Sequence, residues 1–197
     1  MDAVIIDSGG ANLASLQFAL ERLGARATVS SDAREIATAA RVVLPGVGSA
    51  ADAMQRLRRS GLAELLPTLR QPVLGICLGM QLLFERSAEG TTECLGLLPG
   101  TVRRLEAALG RPVPHMGWNQ LTLAREDPLL TGIEPDEYFY FVHSYAAPAS
   151  EVTLARVHYG EAVSAVVRRD NFWGTQFHPE RSAAAGARLL GNFLRLT

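Results

Sequence analysis

The stretch Gly75-Ile76-Cys77-Leu78-Gly79 constrains the fold of this chain more than any other. The apolar run Pro72-Val73-Leu74-Gly75-Ile76 before it predicts a buried strand, and Met80-Gln81-Leu82-Leu83-Phe84-Glu85 after it predicts an amphipathic helix. A strand must therefore pass directly into a helix, with Cys77 at the join and a glycine two residues to each side. That is the layout of a nucleophile elbow, in which a strained turn lifts the nucleophile out of the sheet and glycines leave room for crowded backbone. A thiol at a helix N-terminus also feels the positive end of the helix dipole, which favours the thiolate. The alternative is a buried core cysteine, the usual fate of this residue type. The local spacing favours the elbow.

Around this join the first half alternates strand-like and helix-like segments. Residues 3–6, 27–30 and 41–44 predict strands, and residues 12–23, 33–40 and 49–59 predict helices, with Asp32 as a cap and Gly24 closing the first helix. Repeated units of this size predict an α/β fold: a single open, mostly parallel central sheet with helices on both faces. Such sheets place their sites at the carboxyl ends of the strands. Asp7, Pro45-Gly46 and Cys77 all fall there, so they can share one rim. The second half is β-rich, with strands predicted at residues 101–105, 138–144, 152–157, 162–167 and 172–177 and a closing helix at 182–196. Asp170-Asn171 reads as a hairpin turn, and residues 87–94 read as a polar surface loop. With no repeat, low-complexity run or linker in view, residues 1–197 are expected to form one domain.

Charge and cysteine content narrow the function classes. Nineteen basic and twenty acidic residues leave a formal net charge of -1, which offers no electrostatic footprint for nucleic acid or anionic lipid. Two cysteines, Cys77 and Cys94, suggest neither a disulfide scaffold nor a zinc site, so no metal is expected and a reducing compartment is. Neither a signal peptide nor a membrane span is evident, which makes the cytoplasm the expected location.

A cysteine nucleophile needs a base, and the base needs an orienting group. Of the four histidines, His178 has a carboxylate within reach by spacing, in His178-Pro179-Glu180. The proline biases His178 toward an extended conformation, in which residues two apart face the same way, so Glu180 can fix its tautomer. A structural His-Pro turn is the competing reading. His143, at the end of a strand, reads as structural or as a backbone contributor to a pocket; His115 has no assigned role, His158 reads as a surface residue and Cys94 as structural. Oxyanion donors are also required. Glycines flanking Val47 in Pro45-Gly46-Val47-Gly48-Ser49 allow a nest-like arrangement of N–H groups, and the amide of Leu78 is the other natural donor. That loop lacks the lysine of a P-loop, and Gly9-Gly10 lacks the spacing of a dinucleotide fingerprint, so nucleotide binding is rejected and no cofactor is expected.

With these residues in place, the chain resembles the class I glutamine amidotransferases, which carry a Gly-x-Cys-x-Gly-x-Gln elbow and a late His-Pro-Glu. Both are intact here, as Gly75 to Gln81 and His178 to Glu180. Pro45-Gly46-Val47-Gly48, Pro114-His115-Met116-Gly117-Trp118-Asn119 and Tyr140-Phe141-Val142-His143-Ser144-Tyr145 extend the likeness toward the family's histidine-biosynthetic branch. The resemblance implies that Cys77 attacks the side-chain amide of L-glutamine, with His178 and Glu180 as its catalytic partners. It implies oxyanion binding by the backbone of Val47, Gly48 and Leu78, and substrate binding by Gly46, Gln81 and the backbone of His143, Ser144 and Tyr145. It further implies that ammonia passes to a separate (β/α)-barrel cyclase subunit in a heterodimer, with no nucleic acid and no membrane involved. There are departures. Ser8 stands where an aromatic residue often follows the first-strand Asp, and Arg181 stands where Lys usually follows His-Pro-Glu. Arg for Lys keeps the charge and changes the hydrogen-bond geometry. An amidotransferase of another pathway, a cysteine peptidase-like hydrolase and a non-enzymatic subunit are the alternatives.

Overall fold

A computed structural model describes residues 2–7 and 13–197. In chain order the elements are β1 (Asp2–Ile6), α1 (Leu13–Arg22), β2 (Arg26–Ser30), α2 (Ala33–Thr38), β3 (Val42–Gly46), α3 (Ala50–Arg59), α4 (Leu62–Leu65), β4 (Val73–Cys77), α5 (Leu78–Leu82), β5 (Phe84–Ser87), β6 (Thr92–Glu93) and β7 (Leu98–Arg104). There follow β8 (His115–Gln120), β9 (Thr122–Leu123), β10 (Tyr138–His143), β11 (Tyr145–Ala146), β12 (Thr153–Tyr159), β13 (Glu161–Arg169), β14 (Phe172–Thr175) and α6 (Ala183–Arg195).

Among the described residues, eight strands form one sheet in the order β2-β1-β3-β4-β14-β13-β12-β9. The five from β2 to β14 are parallel. From β14 onward the pairings are antiparallel. The α/β class expected from the sequence holds, with the sheet mixed where its second half joins. Because strand side chains alternate in direction, β1 sends Ala3 and Ile5 to one core and Val4 and Ile6 to the other. Leu16 and Leu20 of α1 and Leu189, Leu190 and Phe193 of α6 cover the first face. Ile36 of α2, Met54 and Leu57 of α3 and Leu62 of α4 cover the second. A parallel sheet buried on both faces needs near-continuous apolar strands, and β3 and β4 are buried throughout. Asp32 caps α2 as expected, accepting from the N–H groups of Arg34 and Glu35. The Gly9-Gly10 turn and Asn12 lie outside the described residues.

Two local expectations are corrected. The helix predicted over residues 80–85 stops at Leu82, and Phe84 begins a strand that pairs with Leu98 of β7 and, through Arg86 and Ser87, with β6. Burial of Phe84 in the second core outweighs the local helical pattern. Residues 87–94, read as a loop, hold a 3-10 turn (Glu89–Thr91) and β6.

Candidate functional site

The turn after β4 is as sharp as its glycines suggest. Cys77 adopts φ 54° and ψ −111°, a conformation that side-chain-bearing residues rarely take. A Cβ on Gly79 would stand 1.8 Å from the Leu44 carbonyl oxygen, and one on Gly75 would stand 2.7 Å from the oxygen of Gly79. No other residue type fits either position, so the two glycines let α5 start directly against β3 and β4. Gly46 is the register neighbour of Cys77 on β3, which brings the Pro45–Ser49 loop alongside the thiol. Gly48 holds φ +85°, and Ser49 then caps α3 by accepting from the Asp52 N–H.

His178 arrives from the neighbouring strand. β14 runs parallel to β4, with Thr175 beside Ile76, and the chain continues through Gln176 and Phe177 to His178. The His178 N–H donates to the Tyr140 carbonyl at 3.0 Å, and its own carbonyl accepts the Ser182 hydroxyl at 2.7 Å. Nδ1 of His178 lies 2.8 Å from Oε1 of Glu180. His178 is extended, as expected, but Glu180 belongs to a 3-10 turn (Pro179–Arg181), so the turn and not strand alternation brings the carboxylate back. With Nδ1–H donated to Glu180, Nε2 is left to serve the sulfur. Burial opposes charge on His178, but its interactions with Cys77 and Glu180 more than offset this and raise its pKa to about 10. Oε2 of Glu180 is buried and makes no hydrogen bond.

These groups face one cavity of about 840 Å³, lined by Pro45 to Gly48, Cys77, Leu78, Gln81, Glu89, Val142 to Tyr145, His178, Glu180 and Arg181, among others. All the site residues singled out from the sequence meet there. Asp7 follows β1 at the same end of the sheet but is not in the lining; Ser15 and Leu16 of α1 are. Gln81 spends its amide protons on the Tyr145 carbonyl at 2.8 Å and Oε1 of Gln176 at 2.9 Å, which leaves its own Oε1 to accept. Burial pushes the Cys94 thiol up to about 11, in keeping with a structural thiol.

Sequence reasoning missed Gln176, whose Nε2 reaches Cys77 Sγ at 3.8 Å. An amide inside the apolar run Phe172-Trp173-Gly174-Thr175-Gln176-Phe177 is the signal that points to it. Glu89 was also missed; its carboxylate accepts the Ala50 N–H at 2.8 Å where α3 begins. Nothing in the polar segment around Glu89 announces that reach.

A thiol on a strand–helix elbow beside a His–Glu pair, on a sheet parallel around the site, is the arrangement found in α/β enzymes that use a cysteine nucleophile. The family model for glutamine amidotransferase class-I matches residues 4–196, and the chain belongs to that family. It is 56% identical over 196 residues to the imidazole glycerol phosphate synthase subunit HisH of Xanthomonas euvesicatoria pv. vesicatoria, covering 100% of this chain and 98% of the relative. To the HisH subunit of Shewanella oneidensis it is 51% identical over 212 residues, covering 99% and 96%. The fold is shared with a glutamine amidotransferase crystal structure (TM-score 0.75, 22% identity, 98% and 96% covered) and with the structure of PurLQS from Thermotoga maritima (TM-score 0.73, 20% identity, 98% and 97% covered).

Proposed function

We propose that this chain is the glutaminase subunit of an imidazole glycerol phosphate synthase, an enzyme of histidine biosynthesis. It hydrolyses L-glutamine and delivers ammonia to a (β/α)-barrel cyclase subunit, which makes imidazole glycerol phosphate and an aminoimidazole carboxamide ribotide. Full-length identity above 50% to such subunits supports the pathway. The observation that carries the chemistry is Cys77 on its strained turn with the His178–Glu180 pair facing the same cavity.

Cys77 Sγ attacks the side-chain amide carbon of glutamine after His178 Nε2 has taken the thiol proton. Negative charge develops on the amide oxygen, and the N–H of Leu78 with those of Val47 and Gly48 receives it. Gly48 has open space where a Cβ would stand, so the peptides of this loop can turn toward the oxyanion. The C–N bond then breaks, His178 gives its proton to the departing ammonia, and a glutamyl thioester remains on Cys77. Water, deprotonated by His178, hydrolyses the thioester and frees glutamate. Glu180 holds the imidazole in the tautomer that serves both steps. Gly46, Oε1 of Gln81 and the backbone of His143 to Tyr145 hold the substrate.

The face that carries Arg181 is the expected docking surface for the cyclase; there the Arg181 guanidinium lies 4.4 Å from the Tyr140 ring centroid, and Trp118, 53% exposed, packs edge-on to the same ring. Two free cysteines fit a reducing cytoplasm, and one family model spanning residues 4–196 supports a single catalytic domain. Among the described residues, no helix is long and apolar enough to cross a membrane.

The test is glutamate release with and without the barrel cyclase and its nucleotide ligand, on the unmutated chain and on Cys77→Ala. Strong activation by the loaded cyclase, abolished in Cys77→Ala, is the expected result. High activity indifferent to the cyclase moves the chain to another amidotransferase pathway, and hydrolysis surviving in Cys77→Ala overturns the mechanism.

A further inference from the structure

The side chains of two buried histidines have no part in the chemistry above. His115 on β8 and His143 on β10 are register partners, 4% and 6% exposed. Burial pushes the pKa of His115 down to about 4, and burial with the nearby charge of His178 among its causes takes His143 down to about 3. Each ring is therefore neutral near pH 7 and carries a single N–H.

The neighbours decide which nitrogen carries it. Nδ1 of His143 lies 2.9 Å from the Tyr145 carbonyl, which can only accept, so that nitrogen is the donor. Nε2 of His143 is then bare, and Nδ1 of His115, 3.1 Å away, must donate to it. Nε2 of His115 is bare in turn and faces Nδ2 of Asn119 at 3.4 Å. The Asn119 amide is oriented by its oxygen, which accepts the Gln120 N–H at 2.9 Å. His115 cannot easily rotate, being stacked between Phe141 and Tyr159 with ring centroids at 4.9 and 4.0 Å. At the far end, the Tyr145 carbonyl also takes Gln81 Nε2, which donates to Gln176, which reaches Cys77 Sγ.

We propose that Asn119, His115 and His143 are positioning residues, a one-way series of N–H donors that pins the Tyr145 carbonyl and, through it, the Gln81 and Gln176 amides that border the glutamine site. This rests on the reading of the Cys77 cavity as a glutaminase site. The series touches the wall that holds the substrate and not the base that moves the proton, so its loss falls on KM rather than on kcat.

The experiment is steady-state glutamine hydrolysis by the complex with the barrel cyclase and its nucleotide ligand, together with thermal melting. His115→Phe keeps the aromatic stack and removes both ring nitrogens. It is expected to raise KM for glutamine about tenfold, the size of one buried hydrogen bond, with kcat held within about threefold. His143→Leu is expected to raise KM as well, and His143→Gln, whose amide offers one donor and one acceptor, to bring KM back within about threefold of the unmutated complex. Asn119→Leu, at a half-buried position, tests the first link without disturbing the stack: loss of the donor that faces Nε2 of His115 is expected to raise KM as well. A folded His115→Phe complex with unchanged KM overturns the proposal, as does His143→Gln behaving like His143→Leu. Nitrogen-15 NMR of the unmutated chain gives an answer independent of activity. Both rings are expected neutral and protonated at Nδ1, and an Nε2–H on His143 overturns the donor order. If the unmutated complex releases no glutamate, the glutaminase reading falls, and the donor order is then decided by that spectrum alone.

Discussion

Cys77 combines a reactive side chain with a backbone conformation suited to glycine. A φ of 54° with ψ −111° costs a side-chain-bearing residue on the order of 1–3 kcal/mol, held in place by the packed strands on either side. Replacement by glycine removes that strain, whereas replacement by alanine keeps it. Cys77→Gly is therefore expected to be more stable than Cys77→Ala by about 1 kcal/mol in urea denaturation, the reverse of the usual order in a regular element, with neither variant releasing glutamate. If alanine is the more stable, the turn stores no strain. This residue was legible from the sequence because the information is local: an apolar run, a helical run and two glycines at fixed spacing. His178 and Glu180 were legible for the same reason, being two residues apart. Gln176 and the His115–His143 pair were not. Each gains its partner through strand register across tens of residues, and no short window of sequence contains that register.

Helix α6 fixes the position of the turn that carries Glu180. A Cβ on Gly186 would stand 2.0 Å from the Pro179 carbonyl oxygen, and Ser182 at the head of the helix bonds to both His178 and Tyr140. Gly186→Ala must push the Pro179–Arg181 turn away from the helix. The expected outcome is a lower melting temperature together with at least a tenfold fall in kcat/KM, since a misplaced orienting carboxylate weakens the base. Full activity and unchanged melting would show that α6 does not set the turn. At this scale the sequence read well wherever a pattern was closed by its own cap, as in α2 behind Asp32 and α3 behind Ser49. It misread Phe84 to Ser87, whose strand exists only because β6 and β7 lie alongside. The antiparallel pairing of β13 with β14 was legible in the Asp170-Asn171 hairpin turn, whereas the insertion of β14 beside β4 was hidden, because it follows from the order in which distant strands stack and not from what any strand contains.

Over the whole molecule, three histidines shape the response of stability to pH. Folding lowers His115 and His143 from 6.5 to about 4 and about 3, so below pH 6.5 the unfolded chain binds protons that the folded one refuses, and stability falls as pH falls. His178 is raised from 6.5 to about 10, so above pH 6.5 the folded chain keeps a proton that the unfolded one loses, and stability falls as pH rises. The melting temperature is thus expected to peak near pH 6–7. His178→Ala should flatten the alkaline side and His115→Phe the acid side; limbs unaltered by these substitutions would assign the pH response to other groups. One feature of the sheet bears on how the protein is made. Cys77 stands on β4, but His178 follows β14, a strand distant in sequence inserted beside β4 at the seam between the parallel and antiparallel halves. The two halves of the site therefore meet only once β14 has slotted into the seam, about a hundred residues after the thiol.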